Sequence, residues 1–137
     1  AAVRHLESSI GFSRSILTRA RPIGYFRWMN TDNALGILAA LSHPTRLTTF
    51  QLLVRHEPDG LSTGQLVEAS GLTQSTFSTH LAVMAKAGLV ISEKRGRQQI
   101  QRANIAALSD LMLFLAKDCC QGRADLCEPL LAELSCC

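Results

Sequence analysis

The stretch Leu61–Val90, LSTGQLVEASGLTQSTFSTHLAVMAKAGLV, decides the fold of this 137-residue chain. Ser62 or Thr63 is a candidate N-cap for a short helix, and Gly71 is placed to end that helix with a tight turn. Thr73 is a candidate N-cap for a longer helix that follows. Two helices joined by a short turn containing glycine form a helix-turn-helix arrangement. We therefore predict this motif at the centre of the chain.

The longer of these two helices has two different faces. Phe77, Leu81 and Met84 recur at helical spacing and form one apolar stripe. The rest of its surface carries short or uncharged hydrogen-bonding side chains: Gln74, Ser75, Thr76, Ser78, Thr79 and His80. A helix face that is merely solvated more often carries Lys and Glu. These donors and acceptors suit the base edges and phosphates of a DNA major groove, so we predict that the six residues bind DNA.

A basic hairpin is predicted directly after the helix-turn-helix. Residues Gly88–Ile105, GLVISEKRGRQQIQRANI, indicate two strands joined by a turn around Gly96. Between Lys86 and Arg102, five basic residues stand against one glutamate, a local net charge of +4. Three side chains near the turn are expected to reach the DNA backbone: Lys94, Arg95 and Arg97. A hairpin in this position is a wing, although charged edges also protect ordinary hairpins against aggregation.

Two helices are predicted before the motif. The first spans about residues 32–41 after a cap at Thr31 or Asp32, and the second begins at the candidate N-cap Ser42, with Pro44 in its first turn. The first helix carries a row of leucines: Leu35, Leu38 and Leu41. The second helix is expected to bury Leu47, Phe50 and Leu53.

A last helix is predicted from Asn104 onwards, and it is apolar over more than one face. Its main stripe consists of Ile105, Leu108, Leu111, Met112, Leu115 and Cys119, to which Leu113 and Phe114 add further apolar surface. Such a helix needs more than its own core to cover it. We expect a homodimer formed through the first and last helices, which would present two DNA-binding helices to a pseudo-palindromic site. A monomer with a well-covered last helix is the alternative.

The segments ALSHPTRL, STGQLVEASGLTQSTFSTHLAVMAKAGLV and RGRQQIQ resemble the ArsR/SmtB family of metal-responsive winged-helix repressors, over about residues Ala34–Cys127. The resemblance implies a mainly α fold with a small β-hairpin, a winged helix-turn-helix that dimerises through its first and last helices. It also implies a repressor that binds double-stranded operator DNA until a metal or metalloid releases it.

All five cysteines lie at or beyond Cys119, and the body before them has none. Adjacent pairs, an odd count and clustering at one end favour reduced thiols over a disulfide scaffold. Gly122 is a plausible helix end, after which the chain could fold back and bring Cys127 toward Cys119 and Cys120. Three thiolates suit a trivalent thiophilic ion, As(III) or Sb(III), as inducer, and the family resemblance points the same way. Cys136 and Cys137 are expected to be accessory.

Several alternatives to this thiol site remain open. A structural zinc site would need a fourth ligand, and methylated As(III) would need only two thiols. A redox switch, a divalent soft metal, a metalloid-sequestering protein and simple burial of Cys119 are further possibilities. The C-x-C pair that many similar arsenic repressors place before the DNA-binding helix is absent, since Ser62 and Gly64 occupy the matching positions.

The chain is expected to have three parts. Residues 1–28 form a basic extension of net charge +4, either disordered or non-native; residues 29–127 form the winged-helix and dimerisation domain; residues 128–137 form a tail. No secretory signal, membrane span, phosphate loop or nucleophile–base pair is evident. We therefore expect a cytoplasmic protein that is not an enzyme and has no catalytic cofactor.

Overall fold

The computed structural model of the chain describes residues 29–119, 121 and 123–134, without the side chains of Asp118 and Cys119. Residues 1–28, predicted as a basic extension, lie outside this range. In the described part the elements follow in this order: α1 (Thr31–Leu41), α2 (Pro44–Arg55), β1 (Leu61–Ser62), α3 (Thr63–Ser70), α4 (Gln74–Lys86), β2 (Val90–Arg95), β3 (Gln98–Ala103), α5 (Ile105–Phe114), a π-helical segment (Leu115–Cys119) and α6 (Ala124–Leu134).

The caps of α1 and α2 differ from those predicted. Asn30 caps α1, because its side chain accepts from the backbone N–H of Asn33 at 2.7 Å. His43 caps α2 in the same way through Nδ1, while Pro44 occupies the first turn as expected. Ser42 instead ends α1, where its hydroxyl donates to Ala39 O at 2.6 Å. A histidine ring is a rare cap, so the sequence favoured the neighbouring serine.

The inner faces of α1 and α2 are partly as predicted. Phe50 and Leu53 are buried, whereas Leu47 is 42% exposed, so its assignment to the core was wrong. On α1 the buried row is Ala34, Ile37 and Ala40. Leu35 and Leu38 face outward, at 58% and 40% exposure. Two of the three leucines of the α1 row are therefore exposed in a single copy of the chain, while Leu41 is half-buried against the core.

The helix-turn-helix is confirmed with its caps. Ser62 and Gln65 form a reciprocal capping box at the start of α3, in which each side chain bonds the other residue's backbone N–H. Gly71 adopts the left-handed conformation at φ 66° and ends α3. Thr73 then caps α4 by accepting from Thr76 N. We term α4 the recognition helix.

One hydrophobic core joins all the layers. The recognition helix contributes Phe77 and Met84, each 1% exposed, and Leu81 is half-buried beside them. The other helices and the sheet contribute Ala34, Ile37, Ala40, Phe50, Leu53, Leu66, Leu89, Val90, Ala103 and Leu111. The predicted stripe of α4 is thus the face that holds this helix on the domain.

The predicted hairpin is part of a three-stranded antiparallel sheet, in the order β1-β3-β2. Strands β2 and β3 pair from Val90 with Ala103 to Arg95 with Gln98, and the turn at Gly96 was predicted correctly. The two-residue β1 was missed because it lacks an alternating pattern. Gly60, at φ 72°, precedes β1 where a Cβ would lie 2.5 Å from Gln101 O, so only glycine allows this approach to β3.

Glu57 ties the loop after α2 to strand β3. One carboxylate oxygen accepts from Arg102 at 2.7 Å, and the other accepts from the backbone N–H of Ala103 at 2.9 Å. Arg102 also donates to Glu93 at 3.1 Å across the hairpin. These hydrogen bonds raise the pKa of Arg102 further above its usual value. Arg102 on β3 therefore links the loop after α2, through Glu57, to strand β2, through Glu93.

The last helix changes character near its end. From Leu115 to Cys119 the backbone is π-helical. Gln121, which lies between this segment and α6, has a φ of 52°. Residue 128, where the sequence placed the start of a tail, lies inside α6. Among the described residues, no helix is both long and apolar enough to cross a membrane.

We expect Phe77→Ala to lower the free energy of unfolding by about 3–5 kcal/mol, because it leaves a cavity in the core beneath the recognition helix. Urea denaturation followed by circular dichroism measures the change. Ser78→Ala, on the exposed side of the same helix, is the matched control and should change stability by less than about 0.5 kcal/mol. Equal effects in the two variants would mean that α4 is not held by this face.

Candidate functional site

The outward face of the recognition helix consists of small polar side chains. Gln74, Ser75, Thr76, Ser78 and Thr79 are all exposed, as their predicted role in binding DNA requires. Some of them are ordered by bonds within the first turns of the helix: Thr73 Oγ1 lies 2.9 Å from Thr76 Oγ1, and Thr79 donates to Ser75 O at 3.2 Å. The surface is thus uncharged, shallow and rich in hydroxyl groups.

His80 differs from the other five residues of this set. Its ring is half-buried and lies against the start of α2, where its centroid is 4.5 Å from that of His43. Arg46 Nη1 lies 3.4 Å from its Nδ1. Desolvation by burial, followed by the charges of His43 and Arg46, lowers the pKa of His80. His80 therefore occupies the margin of the polar face and contacts a second helix.

The three predicted basic residues of the wing have different environments. Arg95 turns back, donating to Asp59 O at 3.0 Å and to Glu93 at 3.0 Å. Lys94 and Arg97 are exposed, and neither makes an ion pair or side-chain hydrogen bond within the described residues. Bonds from Arg95 and Arg102 lower the pKa of Glu93, which keeps it anionic. Lys94 and Arg97 are thus the two wing cations that remain available.

A buried polar network fixes the wing against the helix-turn-helix. Gln101 is 2% exposed, and its amide nitrogen donates to Thr63 Oγ1 at 3.1 Å. Its amide oxygen accepts from Ser92 on the neighbouring strand. Since Thr63 opens α3, the network links both wing strands to the start of the helix-turn-helix. Such fully satisfied buried networks favour one geometry over alternatives.

The predicted thiol site is described only at Cys127. This residue lies on α6, half-buried, and its thiol donates to Ala116 O at 3.5 Å. Ala116 belongs to the π-helical segment that ends at Cys119, so α6 folds back onto that segment. The side chain of Cys119 and all of Cys120 lie outside the described residues, as do Cys136 and Cys137. Within the described side chains, no group of three or more His, Cys, Asp or Glu could hold a metal ion.

Arg46 was not singled out from the sequence. Besides approaching His80, it donates from Nε to Ala40 O and from Nη2 to Ala39 O, at the end of α1. It thereby connects α1, α2 and the recognition helix. The arginine stands in the quoted ALSHPTRL segment, but helical periodicity places it on neither a clear inner nor a clear outer face.

Comparison with known proteins agrees with this architecture. A family model described as a helix-turn-helix domain matches residues 41–93. The HTH-type transcriptional regulator YgaV of Escherichia coli strain K12 is 30% identical over 91 residues, which cover 66% of this chain and 90% of the relative.

Two solved structures have the same fold. The ArsR-like transcriptional regulator from Rhodococcus sp. RHA1 matches with a TM-score of 0.61 and 26% identity, over 69% of this chain and 87% of that chain. A possible transcriptional regulator for arsenical resistance matches with a TM-score of 0.51 and 30% identity, over 58% of this chain and 79% of that chain. The chain belongs to the ArsR/SmtB family of winged helix-turn-helix transcriptional regulators.

Proposed function

We propose that this regulator is a homodimeric repressor that binds operator DNA and is released when As(III) or Sb(III) binds Cys119, Cys120 and Cys127. The observation that carries the proposal is the return of α6, which packs Cys127 against the backbone three residues before Cys119. A three-thiolate site requires this reversal of the chain. The similar solved structure described as a possible regulator for arsenical resistance supports the same class of inducer.

Operator binding is assigned to the recognition helix and the wing. Gln74, Ser75, Thr76, Ser78 and Thr79 would lie toward base edges, with His80 at the margin of that surface. Lys94 and Arg97 would contact phosphates, and Arg95 would support the wing from its bonds to Asp59 and Glu93. The local charge of the wing supports this assignment, because the rest of the body is not basic.

The apolar surface of the terminal helices supports a dimer. On α1, Leu35 and Leu38 are exposed, and on α5 so are Met112 and Leu113. Helix α6 buries no residue in the single chain, and four of its leucines are exposed: Leu126, Leu130, Leu131 and Leu134. Exposed apolar side chains in such number are typical of subunit contacts. A second copy of the chain would cover it.

The proposed coupling follows from the order of the elements. The thiol site would lie at the end of α5, and α5 would also form the subunit contact. Binding of the ion would change the shape of the π-helical segment, and with it the spacing of the two recognition helices. Release requires that the ion bind the DNA-free form more tightly than the DNA-bound form.

We expect Lys94→Ala combined with Arg97→Ala to weaken binding to the chain's own upstream promoter DNA and to flatten its salt dependence. Each lost phosphate contact makes the negative slope of log K against log salt shallower by about 0.9. Fluorescence anisotropy measured between about 50 and 200 mM salt gives this slope. Lys117→Ala, a basic residue outside the wing, is the control. An unchanged slope in the double variant would contradict the assignment of the wing.

We expect the wild-type protein to sediment as a dimer at micromolar concentration. Leu35→Glu and Leu113→Glu should each give a monomer, because a carboxylate would have to be buried in an apolar contact. Analytical ultracentrifugation provides the measurement. Leu47→Glu, at a comparably exposed leucine on α2, should remain dimeric. A monomeric wild type, or equal effects at all three positions, would refute the proposed contact.

We expect arsenite, in the presence of reductant, to lower the affinity of the wild-type protein for promoter DNA by about 5–150-fold. Cys119→Ser, Cys120→Ser and Cys127→Ser should each remain bound, because each variant lacks one of the three thiolates. Fluorescence anisotropy titrations measure release. A variant in which both Cys136 and Cys137 are serine should respond like the wild type.

The same titration separates the rival inducers. Release by peroxide without metalloid, reversed by reductant, would replace the proposal with a thiol-redox switch. Release of the Cys127→Ser variant from DNA by methylated As(III) would mean that the site consists of Cys119 and Cys120 alone. Binding that neither arsenite nor antimonite alters in the wild type would refute the metalloid proposal.

A further inference from the structure

The margin of the recognition helix carries a cluster of cationic and titratable side chains. His80 from α4 meets His43, the cap of α2, and Arg46 from the first turn of α2. All three side chains are half-buried. Within the described residues, no carboxylate forms an ion pair with Arg46, and the charges that act on His80 come from His43 and Arg46 alone. The cluster therefore has positive charge without a partner of opposite sign.

The hydrogen bonds define which ring nitrogens remain available. The backbone N–H of Thr45 donates to His43 Nδ1 at 3.2 Å, and a guanidinium can only donate, so Nδ1 of His80 accepts from Arg46. Each neutral ring therefore carries its proton on Nε2. Neither Nε2 has a hydrogen-bond partner among the described residues. Both rings thus retain one donor for a ligand that accepts hydrogen bonds.

The position of the cluster identifies that ligand. Thr76 and His80 are one helical turn apart on the same side of α4, and Thr76 belongs to the exposed polar face. When a recognition helix lies in the major groove, the phosphates are at the margins of its base-contacting surface. The positive end of the α2 dipole lies at His43 and adds to the attraction for an anion.

We propose that His43, Arg46 and His80 form a DNA phosphate-binding site, and that DNA binding is coupled to proton uptake by His80. The inference rests on the proposed operator binding and extends it to a pH-dependent affinity. Arg46 supplies the permanent charge, while its bonds to Ala39 O and Ala40 O hold it in position. A bound phosphate beside the His80 ring favours its protonated form and offsets the repulsion from Arg46.

The sign of the pH dependence follows from the effect of the bound phosphate on the pKa of His80. In the free protein the pKa of His80 is lowered by burial, His43 and Arg46. In the complex the phosphate raises the pKa of His80 above its free-state value. The added affinity is thus fully present below the free-state pKa and is lost as pH rises through the pKa of the complex. A rise of one unit in this pKa corresponds to an affinity for DNA that is about tenfold higher at low pH.

The test is the affinity of the full chain for its own upstream promoter duplex, measured by fluorescence anisotropy at about pH 6 and pH 8 and constant ionic strength, on either side of the usual histidine pKa. His80→Gln removes the titrating ring, and His43→Asn removes the neighbouring imidazole while keeping a side chain that can cap α2. His56→Gln, at the opposite end of α2, is the matched control. The wild type and His56→Gln should bind up to about tenfold more tightly at about pH 6 than at about pH 8.

His80→Gln should lose most of this gain, and His43→Asn should weaken binding at both pH values because it removes one of the two ring donors. An NMR titration of the His80 ring should show that its pKa rises when the duplex is added. Binding by the wild type without pH dependence, an undiminished gain in His80→Gln, or an unmoved pKa would each overturn the phosphate site. Absence of salt-dependent duplex binding at both pH values would instead refute the proposed function itself.

Discussion

The orientation of the recognition helix about its own axis is the constraint on which the rest of the structure depends. Phe77 and Met84 are almost fully buried, and burial of each such side chain stabilises the fold by about 1.5–3 kcal/mol. A rotation of one residue position, about 100°, would expose both and bury hydroxyl groups in an apolar core. The apolar stripe therefore determines that the polar face points outward. It also sets His80 beside α2, since that position borders the stripe.

Polar contacts hold the wing in place, whereas apolar contacts hold the recognition helix. Gln101 connects both wing strands to Thr63, and Glu57 binds the side chain of Arg102 and the backbone of Ala103. Both anchors act on β3, while Arg95 on β2 is bound to the loop beneath it. These contacts thus fix the wing against the start of α3 and the loop after α2.

The sequence predicted those parts of the fold that depend on local rules. Ser62, Gly71 and Thr73 each begin or end a helix as expected, because capping depends on neighbours within four residues, whereas Asn30 and His43 cap α1 and α2 in place of the residues predicted. Contacts between distant segments were not predictable in this way. The pairing of β1 with β3 and the exposure of Leu47 depend on tertiary packing.

The candidate sites show the same division. The polar face of α4 could be predicted from spacing alone, whereas the bond from Arg95 to Asp59 O and the approach of Arg46 to His80 join residues more than thirty positions apart. Amide NMR spectra of the full chain, free, with promoter duplex, and then with arsenite, test the central claim most directly. The account predicts that DNA shifts the amides of residues 74–80 and 94–97, and that arsenite restores their free positions while shifting those of residues 115–127. Shifts on another surface with DNA, or a response to arsenite that leaves the DNA-bound shifts unchanged, would contradict it.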